Sequence, residues 1–217
     1  MSRLRKGQCY PKLSFQKGWR LITLFFLTSL INAASAQDWP SDLWHDGKIV
    51  LEQGDTLRGQ VKYDLQQDLL QFKIKNEKVE AYSARKVMFF EIFDNTINRY
   101  RNFFSLPYNK TSSYLAPVFF ELLEEGKLTL LSRENLEYKT YSSPYYVGSY
   151  SRLVMVYRFY FLNEKGEITE FVGTKNDLLN LMGRKSEDVE KYIKTNRLKV
   201  EEKYDFARIV AYYNSLF

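Results

Sequence analysis

Fifteen residues, Tyr138–Arg152 (YKTYSSPYYVGSYSR), hold the chemistry best suited to recognition. Tyr138, Tyr141, Tyr145, Tyr146 and Tyr150 alternate with Ser, Pro and Gly, and the stretch contains no acid. Tyrosine offers a broad contact area at low conformational cost, while Ser and Gly supply adaptable hydrogen bonds. The five tyrosines are therefore the expected contact residues for a ligand or partner, either an envelope protein or a glycan whose sugar rings stack on them. The segment reads as a long connection between strands, and connections of that length are frequently functional. A plainer alternative has the tyrosines folding back onto the sheet.

Catalytic chemistry finds less support. His45 is the sole histidine, with Asp42 and Asp46 beside it, and one imidazole with two carboxylates is a thin ligand set for a metal. No G-x-S-x-G elbow and no Gly-rich phosphate loop are present, so serine-hydrolase, P-loop and dinucleotide-binding chemistries are disfavoured. Acid pairs remain. Glu121, Glu124 and Glu125 cluster, and a glycosidase needs two carboxylates facing one cleft. The bland reading of that cluster is a wet strand face running into a turn. Glu91, flanked by Phe89, Phe90, Ile92 and Phe93, must face water or find a partner, and an ion pair with an arginine is the expectation. No cofactor and no metal are expected.

The formal charge of +6 misleads. Residues 1–36 carry six Lys and Arg and no acid, leaving 26 basic against 26 acidic residues in the remainder. A neutral body gives no basis for nucleic-acid binding. Those first 36 residues read as a signal peptide. A basic stretch runs to Arg20, an apolar run of 11 spans Leu21–Ile31, and Ala34-Ser35-Ala36 supplies the small-residue cleavage pattern before Gln37. The apolar run is too short to span a membrane, which takes about 20 residues. The expectation is export, with a periplasmic or envelope location after cleavage following Ala36. The only cysteine, Cys9, lies in this leader, so the mature chain would have no disulfide and would rely on its own core.

Residues 37–46 read as a lead-in. From Gly47 to Gly173 the period is 2: Leu57, Gly59, Val61 and Tyr63 alternate with polar residues, as do Leu70, Phe72 and Ile74. Half-wet alternation belongs to antiparallel sheets. Val87–Phe93 is apolar on both faces apart from Glu91 and is placed either mid-sheet or under a covering element. Further strands are expected at Arg99–Ser105, Pro117–Glu124, Lys127–Ser132, Leu153–Leu162 and Glu167–Val172. From Thr174 to Phe217 the period becomes 3.6. One helix carries Leu178, Leu181 and Met182, a second capped by Ser186 carries Val189, Tyr192 and Ile193, and a third carries Phe206, Ile209, Val210 and Tyr213. The fold class is α+β: an antiparallel sheet, either open or curled towards a barrel, with a cap of three short C-terminal helices.

The opening GKIVLEQGDTLRGQVKYD (Gly47–Asp64) and the closing KYIKTNRLKVEEKYDFARIVAYYNSL (Lys191–Leu216) resemble an uncharacterised family of exported, β-rich proteins of Bacteroidota-type Gram-negative bacteria. The resemblance implies a signal peptide, a β body and a helical tail. It brings no catalytic residue.

The expectation is a non-catalytic binding or interaction module of the cell envelope, with no integral span in the mature chain. Two alternatives stand beside it, a carboxylate-based hydrolase acting on envelope glycan and a small outer-membrane β-barrel. The barrel is suggested by the terminal aromatic Phe217 and requires a strand at Asp205–Leu216.

Overall fold

The period-2 segments fold into ten strands, and all of them join one antiparallel sheet. The computed structural model describes residues 39–74, 78–109, 114–142 and 148–217. The expected leader, residues 1–36, and Tyr145 and Tyr146 lie outside the described residues.

The first four strands, β1 (His45–Leu51), β2 (Thr56–Asp64), β3 (Leu69–Lys73) and β4 (Glu80–Ser83), form a meander. Six more form a second: β5 (Val87–Asp94), β6 (Arg99–Tyr108), β7 (Ala116–Glu124), β8 (Thr129–Ser142), β9 (Ser149–Leu162) and β10 (Ile168–Phe171). The two meanders join where β1 pairs with β5, giving the order β10-β9-β8-β7-β6-β5-β1-β2-β3-β4. As its apolar faces predict, β5 is central, flanked by β1 and β6. β4 is too short and polar to announce itself by alternation and was not expected.

Four strands separate β2 from β8 in this order, yet the Tyr63 hydroxyl on β2 donates to Glu134 on β8 at 2.8 Å. The sheet therefore curls back on itself. It does not close, because among the described residues no pairing joins its end strands β4 and β10.

One face of the curl buries Ile49, Val61, Phe90, Ile92, Phe103 and Phe119. Further along the same face of β7, Leu123 joins a second apolar cluster in which Leu130, Phe159 and Phe161 pack under the helices. The opposite face of β7 places Val118 and Phe120 against Leu131 and Tyr160.

The helices are α1 (Lys175–Met182), α2 (Ser186–Asn196) and α3 (Lys203–Asn214). Thr174 begins α1 through a capping box with Asp177, which satisfies two of the amides that open the helix. A 3-10 turn, Gly183–Lys185, carries α1 directly into α2, so Ser186 is a helical residue and caps nothing. Arg197, at φ 54°, takes the left-handed position that closes α2. Leu178, Val189, Ile193, Phe206, Ile209 and Val210 are buried as their spacing predicts, whereas Leu181 is 49% exposed, since α1 is too short to turn it under the core. Asp205–Asn214 is helical, and the strand required there by a closed barrel does not form.

Gly47 marks the closest approach of β1 to β5. A Cβ at this position would run into the main-chain carbonyl oxygen of Glu91 and press on Ile92 Cα at 3.3 Å. Gly47→Ala is expected to cost about 2 kcal/mol, the scale of overpacking an interior that cannot open. A lower urea midpoint reads this out, and an unchanged midpoint would mean that the two strands separate there at little cost.

Candidate functional site

Residues 138–142 and 149–152 of the Tyr-rich segment are strand. β8 and β9 run on into it as a ribbon paired without a register break from Thr129↔Leu162 to Ser142↔Ser149. Cross-strand pairs of Thr, Tyr and Ser favour this extension, and β-propensity prevails over the Ser content. Tyr141 lies directly opposite Tyr150, their rings stacked with centroids 5.5 Å apart. Tyr138 points to the other face, opposite Leu153. All three are solvent-facing, with 76% of Tyr138, 39% of Tyr141 and 59% of Tyr150 exposed. They do not fold back onto the sheet, and they do not gather into one patch: they occupy both faces of an outer ribbon that neither apolar cluster covers.

The base of the ribbon is different. β7 and β8 pair only near Glu121↔Ser132 and Leu122↔Leu131, and beyond Ser132 they diverge. The β2–β3 turn fills the fork. Asp68 accepts from the Phe119 amide at 2.9 Å and from the Arg133 guanidinium at 2.8 Å, and Arg133 also donates to the carbonyl of Leu65. A cleft of about 290 Å³ remains, walled by Tyr108 and Tyr160 with Arg133, Asn135, Arg158 and Glu170. Its charges are engaged with one another or with neighbours. Arg158 reaches Glu137 at 3.0 Å and Glu170 at 3.6 Å.

The most densely connected polar group lies between the two apolar clusters. Arg101 on β6 points inward, on the same side of the strand as Phe103. Its Nε and Nη2 donate to the two Glu121 oxygens at 3.0 and 2.7 Å, and Nη2 donates to Glu134 at 2.5 Å. Nη1 donates to Asp94 at 3.0 Å and to the Tyr63 hydroxyl at 2.7 Å. All five guanidinium N–H groups are used. Lys203, the first residue of α3, donates to Glu121 at 2.6 Å and brings the helix into the cluster. Arg101, Asp94, Glu121, Glu134 and Lys203 are all buried.

Burial raises the pKa of Glu121, but the Arg101 and Lys203 charges outweigh it and hold the carboxyl below its ordinary value. For Asp94, burial is likewise overcome by hydrogen bonds from Thr96 and Arg101, and its pKa is lowered. Burial lowers the Lys203 ammonium, and Glu121 offsets only part of this. Burial also raises the Tyr63 hydroxyl well above 10.

Glu121 corrects the sequence reading: it is the inward-facing anchor of an ion cluster, separate from the exposed Glu125. The available signal was its place directly after Val118-Phe119-Phe120, where alternation puts residue 121 on the same face as Phe119. Glu91 pairs as expected, though with Lys48 at 3.1 Å and not with an arginine, because it faces outward on β5 opposite Lys48 of β1. His45 is buried and meets the Pro40 carbonyl through Nε2 at 2.7 Å. Among the described residues, no group of three or more His, Cys, Asp or Glu is placed to hold a metal ion, and no helix is long and apolar enough to cross a membrane. No family model, curated protein or solved structure matches the chain.

Proposed function

We propose that the protein is an exported binding module of the cell envelope that works without catalysis, using the outer β8–β9 ribbon as its contact surface for an envelope protein or glycan. The observation that carries this reading is the exposure of Tyr138, Tyr141 and Tyr150 on the outer part of the β8–β9 ribbon, beyond the residues of these strands that join the apolar clusters. Large aromatics held in fixed strand positions cost little entropy to engage, which favours binding over solvation alone. The leader supports export, with a mature chain starting at Gln37. The hydrolase reading is weaker, since Glu121 and Glu134 are both buried and tied to Arg101.

The triple variant Tyr138→Ala/Tyr141→Ala/Tyr150→Ala tests the contact surface. It is expected to lose roughly a hundredfold or more in retention on isolated envelope and on purified wall glycan, given about 1 kcal/mol or more for each of the three aromatic anchors removed. Its urea midpoint should stay near that of the parent, because these side chains are exposed. Equal retention of parent and variant would remove the ribbon tyrosines from the function.

A further inference from the structure

β8 pairs with β9 along its whole length but with β7 only as far as Ser132. Along Arg133–Ser142 its other side has no strand partner among the described residues. Near Arg133 the β2–β3 turn covers this side through the contacts to Leu65 and Asp68, whereas residues 138–142 are exposed. An unpaired strand edge presents a row of main-chain donors and acceptors, and such edges are ordinarily blunted by Pro, bulges or clustered Lys. This one has none of those devices. Glu134–Ser142 contains no Pro and a single Lys, and its register is unbroken.

The side chains along the edge also match themselves. When two copies of β8 pair antiparallel about Tyr138, Glu137 of each copy lies opposite Lys139 of the other, and Leu136 lies opposite Thr140. Centring on Glu137 or on Lys139 would set like charges face to face. The outer edge of β9 offers no such solution, because Ser149–Arg158 contains Arg152 and Arg158 and no acid. Within the ribbon Lys139 stands directly opposite Arg152, a like-charge pairing that a carboxylate arriving on the open side of β8 would offset.

We infer that a second copy of this chain pairs with the open edge of β8, extending the ribbon into a four-stranded, two-fold symmetric assembly centred on Tyr138. Main-chain hydrogen bonds supply the attraction, and the register is set by Lys139 of each copy joining the Arg158–Glu137 pair of the other as a second cation on that carboxylate. An isologous interface of this kind joins two β9–β8 hairpins edge to edge.

Sedimentation of the purified protein over a wide concentration range tests this, with hydrogen exchange of the β8 amides as a second measurement. The parent chain is expected to dimerise reversibly, with protection of the Arg133–Ser142 amides rising as dimer forms. Lys139→Glu places acid opposite acid in both symmetry-related pairs and is expected to raise the dimer dissociation constant roughly tenfold or more. Within its own ribbon the same change sets an acid opposite Arg152, so its urea midpoint should not fall and loss of dimer cannot be ascribed to unfolding. The charge swap Glu137→Lys/Lys139→Glu restores opposite charges and should recover the dimer. A chain that stays monomeric at every concentration, or a dimer indifferent to Lys139→Glu, overturns the inference. So does protection of the β8 amides that appears only with an extended peptide from another protein. The inference uses the strand edge and its two charges rather than the tyrosine faces, so a monomer that still binds envelope glycan would leave the proposed contact surface standing.

Discussion

Arg101→Met should be the most damaging single substitution among the described residues, lowering stability by about 3–5 kcal/mol, the cost of leaving buried charges without a partner. Methionine keeps much of the arginine stem and its packing against Phe103, so the loss is electrostatic. Three carboxylates, Asp94, Glu121 and Glu134, would remain inside with one cation, Lys203. A domain of this size commonly has about 5–15 kcal/mol in total, so the variant would sit close to its unfolding threshold at ambient temperature. Arg101→Lys should recover only part, because one ammonium cannot reproduce a planar fork that serves Glu121, Glu134, Asp94 and Tyr63 together. Urea unfolding followed by tryptophan fluorescence measures both. A drop below about 1 kcal/mol for Arg101→Met would show that protons or water replace the guanidinium at little cost, and the cluster would then lose its structural role.

The same cluster predicts how stability responds to pH. Asp94 and Glu121 have lowered pKa values in the folded chain, so the unfolded chain binds protons first as acid is added. Their contribution is complete above the ordinary carboxylate range, near about pH 4, and is lost as pH falls through the lowered folded values. The alkaline side runs the other way. Burial pushes Tyr157, Tyr160 and Tyr204 up to about 12 and also raises Tyr63 well above its ordinary value of 10. Their contribution is complete below about pH 10, where the unfolded chain still holds its phenol protons, and falls away as pH rises towards 12. Lys203 works against this loss, since its lowered pKa favours the folded state as it gives up its proton. The expected curve is a broad plateau with a fall at each end, measured as urea midpoint against pH. Arg101→Met should flatten the acid limb, because removing the cation raises the carboxylates it had held down. An acid limb of equal steepness in parent and variant would place the responsible carboxylates elsewhere.

Local patterning carried much of this architecture. Period-2 segments with Gly and Asp turns became strands, and the central placement of Val87–Asp94 followed from its two apolar faces. The switch to a 3.6 period after Gly173 located the helices, the first of which starts directly after Thr174. These features arise between neighbours a few residues apart, where side-chain spacing and capping act directly.

Three features depended on the tertiary fold. The ribbon at Tyr138–Arg152 was read as a loop because its Ser, Pro and Gly content is a turn composition, yet pairing across fourteen residue positions determines the backbone there. Glu121 looked wet because a carboxylate in a strand usually is, and its partners come from elsewhere in the chain: Arg101, 20 residues away, sits diagonally across the β6–β7 pairing, and Lys203, 82 residues away, is delivered by α3. The open edge of β8 exists because β7 diverges after Ser132 and Asp68 occupies the fork. Sequence by itself determined where strands, helices and apolar faces lie, since those follow from local periodicity. Which charges meet inside and which strand edge is left unpaired was decided by strand pairing, by the docking of α3 and by the sheet bending back on itself, through contacts that no local pattern encodes.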